Sequence, residues 1–114
     1  MSLSTHVLDA TRGRPAAGVD VALERGREEA WDTVAAGVTD ADGRHRFADA
    51  AGGELALEHA TYRLSFGTGA YFQATGQGGF YPRVDVTFAV TEPDAHHHVP
   101  LLVSPFAYST YKGS

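Results

Sequence analysis

The chain has 114 residues and a formal charge of −5, from nine Lys and Arg against fourteen Asp and Glu, with six His and no Cys. That length suits a single domain over residues 1–114, and an acidic balance without a basic run excludes a surface that tracks nucleic-acid phosphates. The lack of cysteine excludes disulfides, a thiol nucleophile and thiolate metal sites, and no stretch nears the ~18 apolar residues of a membrane span.

Met1 to His6 carries neither a basic nor an apolar leader segment, so residence in the cytoplasm is expected. Thr5-His6-Val7-Leu8-Asp9 reads as a strand. Side chains alternate across a strand, so His6 shares a face with Ser4 and Leu8, while Thr5 and Val7 point the other way. Thr11 to Pro15 is turn material. Val19, Val21 and Leu23 alternate with Asp20, Ala22 and Glu24 in a second strand, and Trp31 to Val38 reads as a third. Asp and Gly in Thr39-Asp40-Ala41-Asp42-Gly43 suit a tight turn that delivers Arg44, and His45-Arg46-Phe47 reads as a brief strand.

After the small-residue loop Ala48 to Gly53, Tyr62, Leu64 and Phe66 mark another strand. Thr68 to Gly76 reads as a helix of at most two or three turns, with Thr68 as its cap and Gly76 in a left-handed C-terminal position. Val84, Val86, Phe88 and Val90 alternate with polar or small residues in the clearest strand. At the end, an apolar strand following His96-His97-His98 is reversed by a Ser104-Pro105 turn, and a second strand is expected to run to Ser114. On the first of these strands His97, Val99, Leu101 and Val103 form the better core face. His96, His98, Pro100, Leu102 and Ser104 face outward, where Leu102 calls for cover by another subunit. These elements predict an all-β fold, an antiparallel two-sheet sandwich of seven or eight strands with one short helix.

Gly-x-Ser-x-Gly is absent, which excludes a nucleophile elbow. Val38 stands where a calcium loop needs its first acidic ligand. His96 and His98, two apart on a strand, could take zinc with His6 as a third ligand, although no Cys or acidic partner sits at an obvious spacing. Plain surface histidines and metal-free histidine chemistry are the other readings.

Several motifs resemble one family. Leu3-Ser4-Thr5-His6-Val7-Leu8-Asp9 with Gly13-x-Pro15-Ala16 is similar to the N-terminal signature of the transthyretin-related 5-hydroxyisourate hydrolases. Asp42-Gly43-Arg44, Thr61-Tyr62-Arg63-Leu64, Tyr81-Pro82 and His96-x-His98-Val99-Pro100-Leu101-Leu102-x-Ser104-Pro105 follow in the same order. Tyr111-Lys112-Gly113-Ser114 resembles the family's terminal Tyr-Arg-Gly-Ser. The resemblance implies a transthyretin-like sandwich assembled as a homotetramer, a dimer of dimers, with active sites in a central channel. It also implies hydrolytic opening of a cyclic amide-type C–N bond in 5-hydroxyisourate, during urate degradation, to 2-oxo-4-hydroxy-4-carboxy-5-ureidoimidazoline. No metal or cofactor is implied.

Carried over position by position, the family's site falls on His6, Arg44, His98, Tyr111 and Ser114. His6 and His98 would move protons near neutral pH. Arg44 would stabilise developing negative charge, Tyr111 would offer a flat ring to a planar substrate, and Ser114 would position substrate or water. Two departures stand out. His97 replaces a family Tyr and reads as a packing residue, and Lys112 keeps the charge of the family Arg without its planar fork. A non-catalytic carrier using the same channel is the competing reading, because fold alone does not decide function.

Overall fold

The computed structural model describes residues 3–114, which form nine strands and one helix. β1 (Leu3–Asp9) is central to the first sheet. On one side it pairs with β2 (Arg14–Pro15) and β5 (Arg44–Arg46), and on the other with β8 (His97–Ser104), which is followed at the edge by β9 (Ala107–Thr110). The second sheet runs in the order β4 (Ala30–Val38), β3 (Asp20–Arg27), β6 (Ala60–Phe66) and β7 (Val84–Val90). The sandwich is of the expected class.

Two details of the strand pairing differ from expectation. Arg14–Pro15, read as turn, adds a two-residue strand against β1. The β1–β8 pairing is parallel, within otherwise antiparallel sheets. Alternation reveals a strand's faces but not its neighbour's direction, and β1 and β8 meet from opposite ends of the chain.

The core lies between the sheets. Leu3 and Val7 of β1, with Val99, Leu101 and Val103 of β8, meet Val21, Leu23, Leu64, Phe66 and Val90 from the second sheet. Val99, Leu101 and Val103 are therefore inward as expected, and Leu102 is half-buried on the other face. Pro100 is buried despite its outward position, being flanked by His6 in register on β1. His97 is half-buried, with its Nδ1 enclosed and unpartnered.

The helix α1 (Thr68–Ala74) caps one end of the sandwich. Thr68 does not cap it. Gly67 is the N-cap and makes no side-chain bond, while Thr68 lies inside the first turn with its hydroxyl buried and unpartnered. Gly76 does adopt the expected left-handed backbone, with φ at 72°. No helix among the described residues is long and apolar enough to cross a membrane.

The helix is tied to β1 through Asp9, which is 1% exposed. Its carboxylate accepts from the amides of Thr11 (3.1 Å) and Arg12 (3.0 Å), from the Tyr71 hydroxyl (2.8 Å) and from Gln77 Nε2 (3.1 Å). Burial pushes the Asp9 carboxyl upward, but these donors together outweigh it and hold the group below its ordinary value. A depressed carboxyl stabilises the fold above the unfolded-state value of 3.8 and loses that contribution as pH falls through the folded-state value. Tyr71→Phe removes one bond to a buried charge. It is expected to cost about 2 kcal/mol and lower the melting temperature by roughly 8 °C near neutral pH. The gap to the parent protein should narrow in melts below pH 3.8.

Candidate active site

The outward face of the first sheet is organised in rows that cross the strands. On β1, the alternation that buries Leu3, Thr5 and Val7 leaves Ser4 and His6 half-buried on the other side. Register then fixes their neighbours. Arg46 of β5, Ser4 of β1 and His98 of β8 form one row, and Arg44, His6 and Pro100 form the next. His6 and His98 lie on adjacent strands two residues apart in register, so their Cα atoms are about 8 Å apart from ordinary strand spacing and rise.

β5 has three residues and carries both arginines. His45 faces inward, packed on Gly37, where a Cβ would come 2.1 Å from the imidazole, and edge-on to Phe47 at 4.7 Å. With His45 anchored there, alternation places Arg44 and Arg46 on the open side, both exposed. The preceding turn is held by Asp40, whose Oδ1 accepts from the Asp42 amide (2.9 Å) and the Arg44 amide (3.0 Å). The Arg44 amide bond is the main reason that the Asp40 carboxyl sits below its usual range. Gly43 turns with φ at +73°, and a Cβ there would lie 2.3 Å from the Val7 carbonyl. Two arginines on this face offset locally the chain's net negative charge; the sequence motifs point to Arg44 alone.

The imidazoles are held differently. His6 Nε2 lies 2.8 Å from the Asp42 carbonyl oxygen. A carbonyl only accepts, so Nε2 carries the proton and the neutral ring has a bare Nδ1. His98 Nδ1 lies 2.9 Å from Ser4 Oγ. Burial is the largest influence lowering the His98 pKa, followed by the positive charges of Arg44, His96 and His6, against a smaller opposing effect from the Ser4 backbone. Its ordinary value is 6.5, so the ring is neutral at neutral pH.

The end of the chain closes over His98. β9 stops at Thr110 instead of running to Ser114, yet the Gly113 amide donates to the His98 carbonyl at 2.8 Å. That is the place reached by continuing the Leu101–Thr110 register, which also sets Tyr111 beside Pro100. A Cβ on Gly113 would stand 2.6 Å from His98 Cδ2, so only glycine lets the chain lie against this ring. Ser114 is exposed immediately beyond.

A cavity of about 330 Å³ opens alongside, with Phe88, His96, His98, Thr110, Tyr111 and Lys112 among its walls. His98 thus lines the cavity while standing in the row next to that of His6 and Arg44; neither of those two residues lines the cavity, nor does Ser114.

The zinc arrangement does not form. Among the described residues no group of three or more His, Asp or Glu side chains could hold a metal ion. His96 and His98 stack with centroids 6.4 Å apart and planes 13° apart, and His6 directs Nε2 to a carbonyl.

A family model described as HIUase/Transthyretin family matches residues 3–113. A 5-hydroxyisourate hydrolase of Caulobacter vibrioides is 47% identical over 116 residues, covering 98% of this chain and 97% of that protein. Among solved structures, a 5-hydroxyisourate hydrolase of Klebsiella pneumoniae superposes with a TM-score of 0.85 at 37% identity, covering 100% of both chains. Sea bream transthyretin in complex with thyroxine also reaches 0.85, at 31% identity over 97% of this chain and 93% of its own. Backbone shape alone therefore does not separate the hydrolase from the thyroxine-bound transthyretin; side chains must.

Proposed function

The chain belongs to the HIUase/transthyretin family, and from that premise we infer that it is a 5-hydroxyisourate hydrolase of urate degradation with its active site on the outward face of the first sheet. The observation that carries the site is the meeting of His6, Arg44 and His98 on neighbouring positions of three strands drawn from distant parts of the chain. A carrier needs an apolar lining; two imidazoles and a guanidinium are costly to desolvate and suit proton transfer and charge stabilisation.

Hydrolysis adds water across a ring C–N bond. Neutral His98 takes a proton from water through Nε2, and the resulting hydroxide attacks the ring carbonyl carbon. Arg44 stabilises the tetrahedral oxyanion. Its collapse breaks the C–N bond, the imidazolium returns the proton to the departing nitrogen, and a carboxyl group and a ureido group result. His6, with its bare Nδ1, accepts a hydrogen bond from the water's other O–H and orients it, without taking that proton. Tyr111 stacks on the planar substrate and Ser114 positions it through its hydroxyl. None of these steps calls on a cofactor.

The same reading includes a homotetramer, a dimer of dimers in which two such faces oppose one another, operating in the cytoplasm. Supporting the assembly, the edge strands β7 and β9 each leave one side unpaired, and Phe80 (71% exposed) and Phe106 (73%) stand out in solvent. Light scattering should return four times the chain mass. A chain without cysteine has no need of an oxidising compartment.

The direct test generates 5-hydroxyisourate with urate oxidase and follows its ultraviolet decay. Decay faster than the spontaneous rate is expected. A spontaneous rate, with saturable binding of an iodinated aromatic ligand, would establish the carrier instead. Gly113→Ala should displace the His98 ring by most of an ångström. That change is expected to slow turnover between about 10- and 100-fold with little change in melting temperature, as read by the same assay and a thermal melt.

A further inference from the structure

We propose that Ser4 is a positioning residue for this hydrolysis: its hydroxyl oxygen accepts the Nδ1 proton of His98 and so fixes the tautomer that leaves Nε2 bare toward the reacting water. The inference rests on the reading of His98 as the base.

Three observations converge on it. Ser4 stands directly across from His98 in the parallel register, so the contact is built by the two strands and not by a mobile loop. Ser4 Oγ is 2.9 Å from Nδ1, an ordinary hydrogen-bond distance. Gly113 closes the Cγ–Cδ2 edge of the same ring. With Nδ1 and that edge occupied, Nε2 is left without a protein hydrogen bond among the described residues, on a half-buried side chain.

A base needs a third group to hold its orientation and the proton on its far nitrogen. A serine oxygen can do this throughout the cycle, because it accepts Nδ1–H from both the neutral ring and the imidazolium. Arg44 and Arg46 from β5, His6 from β1 and His96 from the approach to β8 surround this ring with groups that are cationic or can become so. Arg44, His96 and His6 disfavour the imidazolium that proton transfer must form, whereas a hydroxyl oxygen that accepts Nδ1–H favours it.

Ser4→Ala should therefore lower kcat about tenfold, the scale of one lost hydrogen bond to a charged group, with KM changed less than about twofold. The acid limb of its kcat/KM profile should move to lower pH, because the lost bond favoured protonation. Ser4→Thr keeps the oxygen and should restore kcat to within about threefold of the parent. Nitrogen-15 spectra of the imidazoles, with His98 assigned through His98→Asn, should show the Nδ1–H form in the parent and a shift toward Nε2–H in Ser4→Ala. An Nε2–H ring in the parent overturns the proposal, as does Ser4→Ala with parental kcat and pH profile, or a Ser4→Thr as slow as Ser4→Ala. Full turnover in His98→Asn would instead remove His98 from the mechanism, a failure distinct from these.

Discussion

Replacing His98 by alanine is expected to reduce kcat about 10³-fold, the middle of the range for a positioned general base. The side chain stands in the row next to that of His6 and Arg44 and also lines the neighbouring cavity. Burial and the adjacent positive groups keep it neutral, which a base requires before the reaction begins. The backbone around it does not depend on the imidazole: β8 is paired on both sides and its core contacts come from Val99, Leu101 and Val103. The variant should therefore fold and melt close to the parent, so a rate measured in the urate-oxidase-coupled assay reports lost chemistry. Asparagine, which keeps hydrogen-bonding capacity but does not titrate in this range, should be nearly as slow.

Arg44→Ala is expected to lower kcat roughly 300-fold, the cost of removing one oxyanion donor. Arg44 is exposed at the start of a three-residue strand whose inward anchor is His45, so its loss leaves β5 in place. Arg44→Lys separates charge from geometry. A lysine keeps the positive charge without the planar fork, so recovery of about tenfold over alanine would mark the charge contribution, and the remaining deficit the bidentate one. The same comparison bears on Lys112, which stands where the family has arginine: Lys112→Arg should change turnover less than about threefold, because Lys112 lines the cavity and not the row of His6 and Arg44.

How far the sequence reveals this site depends on which residues set the geometry. Alternation within a strand is local, so the outward placement of His6 and His98 follows from the residues beside them: Thr5 and Val7 are buried, as are Val99 and Leu101. The pairing of β1 with β8 is not local. Nothing in Leu3 to Asp9 specifies that Ser4 lies across from His98, so the Ser4 contact is visible only in three dimensions, although Ser4 and His6 share a face by alternation.

His45 and Arg46 are similar cases. A short charged stretch does not announce that its middle residue packs on Gly37 and presents both arginines outward. Thr68 shows the opposite difficulty. It has the residue type of a cap, but Gly67 takes that place and Thr68 is drawn into the buried first turn. Gly113 carries a signal that sequence alone leaves ambiguous, since a glycine near a chain end reads as flexibility until a ring is found against it.

The central claim is that His6 and His98 act on one water molecule, and a double-mutant cycle reads it directly. The rates of His6→Ala, His98→Ala and the double variant are to be compared with the parent in the coupled decay assay. Groups that work as a unit are strongly non-additive, so the double variant should be no more than about threefold slower than His98→Ala alone. A double variant slowed by the full product of the two single effects would mean that the rings act independently, and would contradict a shared site on this face.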